Sequence, residues 1–149
     1  MPISKQNNVN EAQELLRRLI QGSKKDINAG IISCSMPLSH IECGILYVLN
    51  NADGLDTTIT AIAEDLHVEP PTLVGAITKL EQKKLITKNR DPKDHRRMPL
   101  VITAAGKALN KEIFEPTHQS FSKAFKKIGE QKTRLFLGIL REIVESRSD

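Results

Sequence analysis

A short helical pattern, a three-residue connection and a second, longer helical pattern occupy residues 60–84 of the 149-residue chain. Thr60 can cap the first helix, and two prolines open the second, where a first turn tolerates them because its backbone N–H groups have no partner. Three aliphatic side chains at helical spacing predict the buried stripe of this second helix: Leu73, Ile77 and Leu80. Two helices joined by so short a connection are typical of a helix-turn-helix unit.

The segment after this unit carries the positive charge of the chain. Residues 85–103 predict a β-hairpin with a long polar tip, and a β-branched piece at 57–60 is a further candidate strand. Residues 79–97 hold eight basic and three acidic side chains, whereas the whole chain carries a net charge of only +4. A solvated charged face is one interpretation. A basic helix and wing on a helix-turn-helix instead indicate DNA as the partner.

Helical patterns flank this region on both sides. A pattern at about 9–30 comes first, and a capping box from Ser39 to Glu42 opens the next helix. A helix that begins at Thr103 and a last helix at about 129–147 follow the hairpin. We therefore expect a mainly α fold, a winged helix-turn-helix with a small β-hairpin wing and helices from both termini.

Composition excludes several other classes of protein. With 39% hydrophobic and 27% charged residues the chain is globular, and two cysteines are too few for a disulfide scaffold. No signal-peptide pattern and no apolar window near 18 residues occur, so we expect a cytoplasmic protein with no membrane partner. Without a Gly-rich phosphate loop, a nucleophile elbow or an HExxH motif, we expect neither an enzyme nor a bound cofactor.

The wing sequence DPKDHRRMPLVITAAGKAL resembles the MarR family of bacterial winged-helix regulators. The family signature is an Asp-x-Arg at the wing, followed by a Thr-x-x-Gly that opens the next helix, and it matches Asp94, Arg96, Thr103 and Gly106 here. The preceding VEPPTLVGAITKLEQKKLITK looks like the recognition helix of the SlyA branch, and LSHIECGILYVL is similar to the helix before it. The resemblance covers about residues 37–106.

This resemblance implies a homodimeric transcriptional regulator. It predicts an N-terminal dimerisation helix in 1–36, a DNA-binding lobe in 37–103 and C-terminal dimerisation helices in 104–149. The two lobes would face successive major grooves of a pseudo-palindromic operator in double-stranded DNA, with half-sites about 34–36 Å apart. Family members often bind a small-molecule effector between the dimerisation helices and the lobe, and the candidate pocket residues here are Arg17, His40, Cys43, Tyr47 and Phe114.

The face of the second helix opposite its buried stripe is the candidate for the major groove. Its residues, with those at its edge, are Pro71, Thr72, Gly75, Thr78, Lys79, Gln82 and Lys83. The two threonines can donate hydrogen bonds to phosphates or base edges, and the two lysines suit phosphates. Gln82 could pair with adenine.

Gly75 departs from the SlyA-like pattern, which often has an arginine at this position. A glycine cannot make a bidentate contact with guanine, and it costs about 0.5–1 kcal/mol in a helix interior. Two interpretations stay open: the helix reads its DNA weakly, or Gly75 lets the backbone approach the groove closely.

The wing supplies the other candidate contacts. Arg96 matches the family's arginine that enters the minor groove, and Asp94 would hold it through a charge-assisted hydrogen bond, unless Asp94 is an ordinary turn residue. The remaining wing cations are expected to contact phosphates: Lys88, Arg90, Lys93 and Arg97. The N-terminus of the helix at Thr60 can also accept a phosphate.

Two further hypotheses concern the cysteines and the class of partner. Cys34 or Cys43 could sense oxidants, although the neighbours of Cys43 argue against a low thiol pKa. Cys34, His40, Cys43 and His118 could converge on a metal, but their spacing is not a zinc pattern, so we expect no metal site. The alternative function is a winged-helix module that binds another protein, with weak or non-specific DNA binding.

Overall fold

The computed structural model describes residues 5–148. Within that range the chain forms six helices and two strands, in the order α1 (Lys5–Ser33), α2 (His40–Asn50), α3 (Ile59–Leu66), α4 (Pro70–Gln82), β1 (Ile86–Lys88), β2 (Leu100–Ile102), α5 (Ala104–Ile128) and α6 (Glu130–Ser146). The two strands pair in antiparallel fashion, with Thr87 opposite Val101. The mainly α fold and the hairpin wing predicted from the sequence are confirmed.

The hydrophobic core lies in the lobe formed by α2, α3, α4, the hairpin and the first half of α5. The predicted stripe of α4 is confirmed, since its three aliphatic residues are at most 1% exposed. The largest fully buried side chains all belong to this lobe: Ile45, Leu46, Ile62, Leu73, Ile77, Leu80, Leu85, Ile86, Leu100 and Ile113. The core therefore fixes α4 and the wing relative to each other.

Caps set the helix starts in the lobe. The capping box of α2 is present: Ser39 Oγ accepts from the Glu42 N–H, and Glu42 Oε1 accepts from the Ser39 N–H, each at 3.2 Å. The cap of α3 is Thr58, two residues before the predicted Thr60. The predicted strand at 57–60 does not form, because Asp56 Oδ1 binds the Thr58 N–H and starts the helix there.

The Thr-x-x-Gly motif joins α5 to the wing. Thr103 Oγ1 accepts from the Gly106 N–H at 3.1 Å and donates to the Lys84 carbonyl at 2.8 Å. A Cβ on Gly106 would lie only 2.2 Å from the Leu85 carbonyl oxygen. The threonine therefore caps α5, and the glycine lets the helix pack directly against the chain that enters β1.

Beyond the lobe, α1 packs along α5 and α6 follows α5. The helices α1 and α5 cross closely, since a Cβ on Gly30 would lie 1.8 Å from the Ile113 carbonyl oxygen. Large aliphatic side chains are nevertheless exposed on α1 and α6: Val9, Leu15, Leu16, Leu19, Ile20, Leu135, Ile139, Ile143 and Val144. Among the helices of residues 5–148, none is long and apolar enough to cross a membrane.

Candidate nucleic-acid interface

The outer face of α4 is exposed as the sequence predicts. Pro71, Thr72, Gly75, Thr78, Lys79 and Gln82 are all accessible to solvent. The Thr78 hydroxyl donates to the Val74 carbonyl at 2.9 Å, so its proton is already used within the helix. No atom outside the helix backbone lies within 4 Å of a Cβ built on Gly75. The centre of this face is therefore open and carries little polar chemistry.

Sequence reasoning missed Val74, a residue that is 50% exposed at the edge of this face. Its position about 100° around the helix from Leu73 places it at the border between the buried stripe and the outer face. The helical period therefore predicts that Val74 lies at this border. Whether its side chain is buried or exposed depends on how α4 packs in the lobe.

The wing is a hairpin whose pairing continues beyond the two strands. The Asn89 N–H binds the Pro99 carbonyl at 3.0 Å, and the Asp91 N–H binds the Arg97 carbonyl at 3.1 Å. At the tip, Asp94 Oδ1 accepts from the main-chain N–H of Arg96 at 3.0 Å. The expected bond from Asp94 to the Arg96 guanidinium is thus replaced by a turn that holds the Arg96 backbone.

Three of the predicted phosphate contacts have partners inside the protein. Lys88 pairs with Glu81 at 3.0 Å and Arg97 pairs with Asp56 at 2.9 Å, on the surface, where ion pairs contribute little. Lys83 instead donates to Glu42 Oε2 at 2.8 Å and to the Pro37 carbonyl at 3.0 Å. The other candidate cations form no ion pair within residues 5–148: Lys79, Arg90, Lys93 and Arg96.

The Glu42–Lys83 pair connects two helices of the lobe. The Glu42 side chain is 4% exposed and that of Lys83 is 29% exposed. Burial opposes ionisation of Glu42, but hydrogen bonds from Lys83 and Ser39 outweigh it and hold the pKa of Glu42 below its ordinary value. Lys83 therefore ties the end of α4 to the start of α2 in place of the phosphate contact expected from the sequence.

A cavity of about 690 Å³ is lined by residues of α1, α2, α5 and the end of α3. Its lining includes four of the five predicted pocket residues, His40, Cys43, Tyr47 and Phe114. The Tyr47 and Phe114 rings lie 4.7 Å apart, and His40 Nε2 lies 2.7 Å from Asn28 Oδ1. Arg17 does not line this cavity in the single chain, since its guanidinium pairs with Glu14 on α1, about 15 Å along the helix from the lining.

Cys43 is buried and Cys34 is partly exposed. Cys43 is 2% exposed, and burial, with smaller effects of Cys34 and Glu42, raises the pKa of its thiol to about 11. The Cys34 thiol donates to the carbonyls of Met36 and Ile31, at 2.9 and 3.1 Å. Across the part of the chain that the structure covers, no three His, Cys, Asp or Glu side chains are placed to hold a metal ion.

Comparison with known proteins agrees with this geometry. Residues 38–98 match the model of the MarR family. The HTH-type transcriptional regulator FarR of Neisseria gonorrhoeae is 29% identical over 136 residues, which cover 84% of this chain and 93% of FarR.

Solved structures share the fold. A MarR family protein from Bacillus stearothermophilus matches 97% of this chain and 99% of its own, with a TM-score of 0.80 at 15% identity. A variant of S. aureus MepR bound to an oligodeoxyribonucleotide matches 91% of this chain and 96% of its own, with a TM-score of 0.61 at 20% identity. The SlyA branch stays a prediction. The family match over residues 38–98, the named regulators and the shared fold show that this chain is similar to the MarR family of DNA-binding transcriptional regulators.

Proposed function

We propose that the chain is a homodimeric, ligand-responsive regulator that places α4 of each protomer in a major groove and Arg96 in the flanking minor groove. The observation that carries the proposal is the geometry of Asp94 and Arg96 at the wing tip. Asp94 fixes the Arg96 backbone, while no acidic side chain of the described chain pairs with the Arg96 guanidinium. A fixed backbone with an uncommitted guanidinium suits insertion into a narrow, electronegative minor groove.

The phosphate contacts follow from the available cations. Lys79, Arg90 and Lys93 have no ion-pair partner within residues 5–148, so a phosphate meets no competing carboxylate there. Lys88 and Arg97 can exchange weak surface pairs for phosphates. Thr60 lies in the first turn of α3, whose N-terminal N–H groups favour an anion. We leave Lys83 out of the interface because its ammonium is held by Glu42.

Exposed apolar faces on α1 and α6 support the dimer. The helix α6 contains no buried residue in the single chain, although Leu135, Ile139 and Ile143 form one stripe along it. A stripe of this size in water favours association, and a second copy of the chain offers the same surface.

The cavity beside α2 supports the response to a ligand. It lies between the helices that lead to the proposed dimer contact and the helices of the lobe, and its lining is mostly apolar with two histidines, His40 and His118. An apolar ligand that fits one lobe spacing better than another would shift the dimer toward that spacing. The affinity for DNA would change with it, because two lobes must match successive grooves.

The test starts from a pool of random duplexes, with binding measured against salt and the retained duplexes sequenced. We expect an enriched pseudo-palindrome. Arg96→Ala should then cost about 1–3 kcal/mol in binding to that sequence. Arg134→Ala is the matched control, since it removes the same charge from exposed α6, where Arg134 pairs with Glu130.

Equal losses in both variants would remove the proposed role of Arg96. Retention of no duplex by the wild-type protein, after dialysis and reduction, would support the protein-interaction module instead.

A further inference from the structure

The half of α4 that enters a groove first has an unusual composition for a helix that reads bases. Residues 70–78 contain no charged side chain and no amide side chain. The N-terminal residues of a recognition helix are the ones that contact base edges. Bidentate recognition of guanine requires Arg or Lys, and that of adenine requires Asn or Gln. The first amide on this helix is Gln82, eight residues or about 12 Å beyond Val74.

Apart from the Thr72 hydroxyl, the exposed side chains of this half are apolar and small. Val74 is 50% exposed, whereas Leu73, Ile77 and Leu80 of α4 are at most 1% exposed. The bond from the Thr78 hydroxyl to the Val74 carbonyl directs the threonine's proton away from any ligand. Gly75 lies between Val74 and Thr78. A Cβ built on Gly75 would have no atom within 4 Å apart from the helix backbone and its two chain neighbours. This surface thus presents methyl groups beside Gly75, which has no side chain.

We infer that α4 reads its operator through thymine methyl groups, which Val74 contacts while Gly75 lets the helix approach the bases closely. The C5-methyl of thymine is the apolar group that distinguishes an A·T pair in the major groove. The cations that hold the duplex, Lys79 and those of the wing, lie beside this surface and not on it. This inference rests on the proposed function and names the base chemistry that its helix selects.

The size of the effect follows from the area involved. Burial of one methyl group against another apolar surface changes an affinity about fourfold, which is about 0.8 kcal/mol. In a symmetric operator the same contact occurs once in each half-site, so replacing both thymines should lower the affinity about sixteenfold.

Uracil substitution tests the inference directly, because it removes the thymine methyl and leaves base pairing intact. The duplex enriched from the random pool is synthesised with each symmetric pair of thymines replaced by uracil, and its dissociation constant is measured by fluorescence anisotropy at fixed salt. For the wild-type protein we expect a loss of about sixteenfold at one pair of positions and little change at the others. Val74→Ala should bind the thymine duplex more weakly and lose the difference between thymine and uracil at that pair.

Val101→Ala is the matched control. Val101 is a 40% exposed valine on β2, outside α4, so its variant should keep the full preference for thymine. Val74→Thr, which is nearly isosteric, replaces one methyl group and should reduce the preference only in part.

The outcomes separate the two proposals. Enrichment of an operator whose affinity is insensitive to uracil, or a preference that survives in Val74→Ala, overturns the inference and leaves the proposed function intact. If no sequence is enriched, the proposed function fails and the inference fails with it.

Discussion

Single residues connect the end of α4 to the rest of the lobe. Glu42 is the N3 residue of the α2 capping box, and its second carboxylate oxygen accepts from Lys83 at the end of α4. The same ammonium binds the Pro37 carbonyl. One lysine therefore connects the end of α4 to the start of α2 and to the segment before it.

Glu42→Gln tests the energetic contribution of this pair. A glutamine keeps the cap but loses the charge-assisted bond to Lys83, so we expect the free energy of unfolding at pH 7 to fall by about 1–2 kcal/mol. The folded-state pKa of Glu42 lies below its ordinary value of 4.5, so the contribution is fully present above that pH and is lost as the pH falls through the folded pKa.

Urea unfolding of both proteins between pH 7 and pH 3 measures this difference. The gap between them should stay constant at the upper end and close at the lower end. A gap that is the same at every pH would show that the charge on Glu42 does not stabilise the fold.

Gly75→Ala decides between the two interpretations of the glycine. The Cβ meets no atom of the protein, so the helix should gain about 0.5–1 kcal/mol of stability. If the backbone lies close to the bases, the same Cβ crowds the groove, and we expect binding to the enriched operator to weaken by about 1–2 kcal/mol.

The control is Gly138→Ala, another helical glycine with open space around its Cβ position. It should gain similar stability and leave binding to a single half-site, which does not depend on the dimer, unchanged. Unchanged or tighter operator binding by Gly75→Ala would favour the weak-reading interpretation.

Residues with local partners could be predicted from the sequence, and residues with distant partners could not. The capping box at Ser39 spans three positions, and the stripe of α4 follows from its period. Lys83 finds its carboxylate 41 residues away and Arg97 finds Asp56 41 residues away, so only the fold brings them together. The excess of basic residues in 79–97 therefore predicted the basic surface. It did not predict which of these cations pair with a carboxylate of the protein.

At the scale of elements, the junction between α5 and the wing depends on close backbone approach. Gly106→Ala would place a Cβ 2.2 Å from the Leu85 carbonyl oxygen, so either β1 or α5 must shift. We expect a loss of about 2–3 kcal/mol in the free energy of unfolding, against a gain of helix propensity below 1 kcal/mol.

Ala105→Gly is the control for that junction. Ala105 is the exposed neighbour of Gly106, so its variant should lose only the propensity difference of about 1 kcal/mol. Thermal unfolding of the two variants beside the wild-type protein gives the comparison. A Gly106→Ala protein as stable as the wild type would mean that the helix can move away from the strand at little cost.

The wing shows why element bounds are harder to predict than elements. The sequence predicted strands at about 85–88 and 98–103, whereas the paired strands are three residues each. The tip beyond them is held by isolated main-chain bonds and by two aspartates, Asp91 and Asp94, that accept from N–H groups two residues ahead. Such turns leave no periodic signal, although aspartate in a polar segment favours them.

At the scale of the whole molecule, the lobe has its own buried core within one chain, whereas the outer helices leave large aliphatic side chains exposed. The core of the single chain lies in the lobe, yet α6 buries none of its residues. Residues of α1 and of the lobe both line the cavity, so we expect its shape to change if the proposed association moves α1. Dimerisation, ligand binding and lobe spacing are therefore expected to be coupled.

Ile139→Asp tests the proposed dimer, on which the proposed contact with two successive grooves depends. Ile139 is 48% exposed at the centre of the α6 stripe, so the substitution leaves the lobe core intact. We expect sedimentation to show a shift from twice the 16.6 kDa chain mass toward one chain, because a carboxylate in an apolar contact carries a large desolvation cost. Binding to the pseudo-palindrome should weaken, while binding to a single half-site changes little.

Leu55→Asp is the control, since Leu55 is 70% exposed in the turn after α2, away from α1 and α6. It should sediment as the wild-type protein does. If Ile139→Asp also keeps the wild-type mass and its preference for the full palindrome, α6 is not the dimer contact and the two lobes must be joined through another surface. The spacing between the lobes would then be set by another surface. A ligand in the cavity beside α2 would no longer be expected to change DNA binding through α6.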